Sequence, residues 1–152
     1  MAESGRRKRK AGTVPDMSRW TCPACDREFA REGQSHICVP GCTVDESFAP
    51  WPPLWREIYD RLIDHLTTLG PVHEDAVSVG VFLKNERKFA EVRPKARSLN
   101  LALALDHTVG HPRFVRTVPG IAGRTWHFLK FTTVDDVDDE VRDWLTAAYE
   151  AD

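Results

Sequence analysis

Apolar residues recur at spacings of three and four through Leu54, Ile58, Leu62, Leu66 and Leu69. Tyr59 and Ile63 widen the stripe, while Arg56, Glu57, Asp60, Arg61 and Asp64 occupy the other side. This period predicts an amphipathic helix over about 54–69, opened by Pro52-Pro53 and stopped by Gly70-Pro71. The period then falls to two. Val77, Val79, Val81 and Leu83 alternate with Ser78, Gly80, Phe82 and Lys84, which predicts one strand. FAEVRP at 89–94 predicts a shorter strand ended by Pro94, and Leu99, Leu101, Leu103 and Leu105 give the cleanest alternation of the chain. Residues 106–119 are loop-rich, with a short element expected around 113–118. Trp126, Phe128 and Lys130 alternate with His127, Leu129 and Phe131, which predicts a last strand.

A final helix is expected from Thr133, with Asp136 reaching back to cap it and carboxylates crowding its first turns. Val137, Val141, Trp144, Leu145 and Ala148 form its buried stripe. The order is helix, about four strands, helix. Connections this short make the strands antiparallel, so the expected fold class is α+β, with two helices on one face of the sheet.

The flanking composition sets the organisation. With 152 residues, the chain has room for one domain and a small appendage. Residues 1–18 contain the block Arg6, Arg7, Lys8, Arg9 and Lys10 among Gly, Ala, Ser and Pro, and are expected to be a disordered basic tail. Residues 19–42 hold every cysteine and are expected to form a zinc finger. TVDESFAPWPP at 43–53 is expected to be a linker, and 54–151 the α+β domain. No apolar run is long enough to span a membrane, and no apolar core follows the basic N-terminus. A cytoplasmic protein is therefore expected, in which clustered cysteines bind metal rather than pair.

The net charge of −2 hides a strong sorting. Residues 84–130 carry ten Lys/Arg against three Asp/Glu, whereas 131–152 carry one against eight. Such a chain is expected to present a basic and an acidic face. Lys84, Arg87, Lys88, Arg93, Lys95 and Arg97 fall on or between predicted strands, where hairpin ends gather them along a rim. Arg113, Arg116 and Arg124 follow in the next loop.

The stretch CPACDREFAREGQSHICVPGC, residues 22–42, offers five metal ligands for four places. Cys22 and Cys25 form a C-x2-C knuckle that aims two thiolates at one ion. One completing set adds His36 and Cys38; the other adds Cys38 and Cys42. The second copies the spacing of two-Cys two-His fingers, and Phe29 stands where those fingers place their core aromatic. Against it, Pro40-Gly41 breaks the helix that such a finger needs. Spacing leaves both sets open, with zinc as the expected ion in either.

Several segments together carry a resemblance. WTCPACDREFAREGQSHIC with its PG turn, GPVHEDAVSVGVFLK, FAEVRPKARSLNLALAL, HPRF and FTTVDDVDDEVRDWL are similar to bacterial proteins with the domain named domain of unknown function 5655. The resemblance covers roughly residues 20–150. It implies Cys22, Cys25, His36 and Cys38 as ligands, because the HxC pair of such proteins stands without a cysteine at the place of Cys42. In some larger bacterial proteins a related domain is joined to a nuclease-like domain, which implies a link to nucleic-acid metabolism.

Three functional readings follow. The leading one is a binding protein that contacts DNA or RNA non-specifically through Lys/Arg, since phosphate contact demands clustered cations more than exact geometry. The second is an adaptor whose finger and acidic last helix dock on a protein partner. The third is a small-ligand binder or enzyme built around His107, His111 and His127. No Gly-rich phosphate loop, G-x-S-x-G elbow or H-E-x-x-H occurs to support a catalytic class.

Overall fold

The computed structural model describes residues 19–151. The expected tail over 1–18, with Arg6, Arg7, Lys8, Arg9 and Lys10, lies outside them. The described residues fall into two units, the first ending at Gly41 and the second beginning at Cys42.

In the first unit β1 (Trp20–Thr21) pairs antiparallel with β2 (Glu28–Phe29), Trp20 opposite Phe29. The knuckle closes between them. Asp26 takes a left-handed φ of 62° and donates its N–H to the Cys22 carbonyl at 2.7 Å, while Cys22 N–H bonds the Arg27 carbonyl at 2.9 Å. Only Cys22, Cys25 and Phe29 form the buried cluster, with Trp20 packed against it.

The second unit opens with α1 (Val44–Phe48), inside the stretch expected to be a linker. Thr43 caps it in a capping box with Glu46, a sequence signal that the prolines downstream masked. Ser47 and Phe48 are buried, so this segment belongs to the core. α2 (Pro53–Thr67) follows, as its apolar stripe predicted. Six strands then form one antiparallel sheet: β3 (His73–Val77), β4 (Gly80–Lys84), β5 (Lys88–Pro94), β6 (Leu99–Leu105), β7 (Arg116–Pro119) and β8 (Thr125–Phe131). Their spatial order is β3-β4-β5-β6-β8-β7. A 3-10 turn at Val134–Asp136, closed by Thr133 and Asp136, leads to α3 (Asp139–Glu150), capped by Asp138.

The fold class is α+β as expected, with six strands in the main sheet rather than four. The predicted strand through Val77–Leu83 is a hairpin. Val77 pairs with Gly80, and Ser78-Val79 is the two-residue turn. Alternation runs unbroken through that turn, and neither turn residue has positive φ, so the usual Asn-Gly signal is missing. Ile58, Leu62 and Leu66 of α2 and Val141, Leu145 and Ala148 of α3 share one buried cluster with the leucines of β6, Val81, Leu83, Val92, Leu129 and Phe131. Both helices therefore pack on one face of the sheet. Between Leu83 and Lys84 the register shifts, so that Leu83 faces Ala90 but Lys84 faces Lys88. Phe89 is the extra residue of this bulge. It is fully buried against Tyr149, while Lys88 turns to the other face. Among the described residues no helix is long and apolar enough to cross a membrane.

Gly80 lets β5 come close: a Cβ there meets the Val92 carbonyl oxygen at 2.3 Å, whereas one at Gly110 meets nothing within 4 Å. Gly80→Ala should cost about 1–3 kcal/mol in urea denaturation, and Gly110→Ala should leave the midpoint nearly unchanged.

Candidate functional site

Among the described residues one group of at least three His, Cys, Asp or Glu side chains is arranged to hold a metal ion. Cys22, Cys25, His36 and Cys38 bring their ligand atoms within 4.8 Å of one another. Cys22 Sγ lies 3.6 Å from Cys38 Sγ, and His36 Nε2 lies 3.6 Å from Cys25 Sγ and 3.1 Å from Cys38 Sγ. The three cysteines are free thiols. His36 is oriented from behind. Its Nδ1 bonds the Gln34 carbonyl at 2.7 Å, which makes Nδ1 the protonated nitrogen and leaves the Nε2 lone pair for an ion. Phe29 stacks on the imidazole at 3.9 Å between centroids, and Trp20 meets its edge at 6.1 Å. Arg27 clamps the returning segment by donating to the Ile37 carbonyl at 3.0 Å while lying over Phe29.

The thiols titrate unequally. Burial raises the Cys22 pKa, but the backbone N–H groups of Ala24 and Cys25 and the neighbouring thiols stabilise its thiolate more, bringing it down to about 6. Cys38, hydrogen-bonded to Cys22, partly desolvated by its neighbours, and facing the charges of Cys22 and Cys25, is pushed up to about 11. A bound cation relieves that conflict, because it favours every thiolate at once.

Cys42 stands apart from this set. It begins the second unit, donates its N–H to the Ala76 carbonyl at 2.9 Å and packs against the main core. Burial and the nearby Glu46 raise its pKa. Cys42 is not a member of the clustered group, and its backbone is committed to β3.

The basic residues divide by location. Lys84 pairs with Asp75 at 2.7 Å, with only 7 % and 5 % of the two side chains exposed, so its ammonium does not reach an outside phosphate. Arg87 is exposed beside the β4–β5 turn, and Lys95 and Arg97 are exposed in the β5–β6 turn. Lys88 and Arg93 both pair with Glu91. Arg124 is buried and donates to the Lys88 carbonyl at 2.7 Å. Arg113 is spent on α3, bonding Asp138 at 2.9 and 3.0 Å, Glu140 at 3.1 Å and the Asp136 carbonyl at 2.8 Å.

Away from the helices, the sheet exposes a groove of about 420 Å³. Its rows follow from register. Glu91, Ala102, Phe128 and Arg116 stand side by side across β5, β6, β8 and β7, and Arg93, Asn100 and Lys130 form the next row. Cations lie over rings along this face: Lys88 is 4.9 Å from the Phe82 centroid and 5.2 Å from that of Trp126, and Arg116 is 4.1 Å from that of Phe128. Lys130, Asn100, Phe82, Phe128 and Trp126 were absent from the expected rim. The alternation of β8 contained the signal, but not which phase faced outward.

The three histidines meet separate partners. His107 Nδ1 faces Asp106 on the surface at 2.7 Å. His111 Nε2 contacts Glu140 at 2.9 Å, and its ring edges Trp144. His127 is wholly buried: Nδ1–H donates to the Thr125 carbonyl at 2.9 Å, and Nε2 accepts from Val109 N–H at 2.9 Å. Both nitrogens hold backbone, and burial lowers its pKa. Protonation therefore favours the unfolded chain. Above the ordinary value of 6.5 both states are neutral and stability is full; below it the unfolded chain binds the proton first and stability falls. Urea midpoints should drop from pH 6.5 downward, by at most about 1.4 kcal/mol per pH unit from this group, and His127→Gln should remove that component of the slope.

No curated protein and no solved structure matches the chain. A family match runs from α1 through α3, over residues 44–152, and omits the metal-ligand cluster. Since it covers most of the chain, this protein belongs to the family described as Domain of unknown function (DUF5655).

Proposed function

We propose that this protein is a zinc-stabilised nucleic-acid-binding protein, contacting phosphates through the cations that line the groove on the sheet face away from its helices. The observation that carries this reading is the one-sided chemistry of the groove. Its lining includes Arg93, Lys95, Arg116 and Lys130, against one carboxylate, Glu91. That carboxylate is already met on both oxygens by Lys88 and Arg93. Lys95, Arg116 and Lys130 make no ion pair among the described residues, so the face has a surplus of donors and no free acceptor charge to repel a polyanion. The chain as a whole is slightly acidic, so this surplus is local.

Zinc suits the cluster for geometric reasons. Tetrahedral zinc with Zn–S near 2.3 Å and Zn–N near 2.0 Å spaces its ligands about 3.5–3.8 Å apart. The 3.6 Å separations fall there, and the 3.1 Å pair needs a small outward shift. Four protein ligands leave no open position for water or substrate, which assigns the ion a structural role. Among the described residues of the first unit the buried hydrophobic cluster is Cys22, Cys25 and Phe29, two of them ligands, too little to fold on packing alone.

Metal analysis of the purified chain should find one zinc per molecule. Cys25→Ser and His36→Ala should lose it, and Cys42→Ser should keep it; loss in Cys42→Ser overturns the ligand assignment. Anisotropy titration against labelled nucleic acid at rising salt tests the function. Binding should weaken linearly on logarithmic axes with a slope of about −3 for single strands, set by about four phosphates neutralised. Binding that ignores salt, or is absent at low salt, overturns the reading.

A further inference from the structure

The central strand shapes the groove. On the face away from the helices β6 carries Asn100, Ala102 and Ala104, all short, between longer side chains of β5 and β8; Asn100 is half-exposed, and Ala102 and Ala104 lie buried beneath their neighbours. Neighbouring strands lie about 4.8 Å apart, so the backbones of β5 and β8 that carry the walls run about 10 Å apart, centre to centre. One wall is Glu91 and Arg93; the other is Phe128 and Lys130, with Arg116 beyond. The groove between them, about 420 Å³, has room for one nucleotide of an extended strand.

The floor also has a defined polarity. The Asn100 carbonyl oxygen accepts from the Ser98 hydroxyl at 2.6 Å, which leaves the amide N–H groups as its unspent function. With Arg93 and Lys130 beside it in the same row, this tier presents donors only. The adjoining tier presents an aromatic face. Phe128 is half-buried, and the Arg116 guanidinium lies over its ring at 4.1 Å. A ring that already stacks with one planar cation can stack with a base in the same manner. Arg116 then closes over the base or turns to the adjoining phosphate.

Resting on the nucleic-acid reading above, we infer that this trough binds single-stranded nucleic acid, with Arg93, Asn100 and Lys130 holding a phosphate and Phe128 stacking a base. The ring decides between single strand and duplex. A duplex offers phosphates to the cations but keeps its base faces stacked inside, so Phe128 contributes only when a base is unpaired.

The test uses the full zinc-loaded chain and anisotropy titrations with single-stranded DNA, single-stranded RNA and duplex DNA of one mixed sequence. Single strands of either kind should bind at least about tenfold more tightly than duplex. Lys130→Glu with Arg116→Glu should abolish most binding of both. Phe128→Leu keeps an apolar side chain in place and should weaken single-strand binding about tenfold while leaving duplex binding unchanged. A thermal melt of each variant identifies any that has lost the fold, and the exposed Lys130→Glu alone then serves for the cations. Equal binding of single strand and duplex, with no effect of Phe128→Leu, overturns the single-strand assignment and leaves the phosphate-contact reading standing. Single-strand binding indifferent to all groove variants overturns the trough as the site. Absence of binding to every probe at low salt overturns both.

Discussion

Leu99, Leu101, Leu103 and Leu105 point from β6 toward α2 and α3 and are almost wholly withdrawn from water. Burying four such side chains contributes several kcal/mol, on the order of 1.5–3 for each. The strand has no freedom to slip, because a shift of one residue exchanges the leucines for Asn100, Ala102 and Ala104. This register then fixes everything beside it. It sets Phe128 and Lys130 on the outer face of β8, and Glu91 and Arg93 on the outer face of β5. The groove thus depends on the core: short residues lie outward because leucines lie inward.

Much of this was legible. The α2 stripe, the leucine alternation and the start of the last helical region follow from period and capping chemistry alone, and the ligands Cys22, Cys25, His36 and Cys38 were among the possibilities that spacing allowed. What stayed hidden has specific causes. The turn at Ser78-Val79 keeps the alternation of the strands around it, so two strands read as one. The bulge at Phe89 changes the phase of β5 by one residue, which period analysis over a short run does not detect. In β8 both phases are part apolar and part polar. Trp126, Phe128 and Lys130 face outward, while a histidine shares the inner phase with Leu129 and Phe131. Nothing in the strand itself decides between them; the pairing to β6 does.

His127 illustrates the same limit. A histidine on a strand near other histidines suggests chemistry, yet its two nitrogens join the β8 backbone to the loop at Val109. The loop's Arg113 and His111 in turn grip the beginning of α3 through Asp138 and Glu140. These residues hold the long connection between β6 and β7 in place, and their polarity serves packing.

The N-terminal acids of α3 have one more consequence. Asp139, Glu140 and Asp143 are exposed on a helix that covers the inner face of the sheet, whereas Arg116 and Lys130 lie on the outer face. The second unit is therefore an electric dipole directed through the sheet. In the field of a polyanion it experiences a torque that turns the groove forward before any contact forms. At physiological salt, where fields decay over about 8 Å, this torque acts only in the last moments of an encounter. A polyanion approaching the helix side meets acids and one approaching the groove side meets cations, so charge as well as shape distinguishes the two faces.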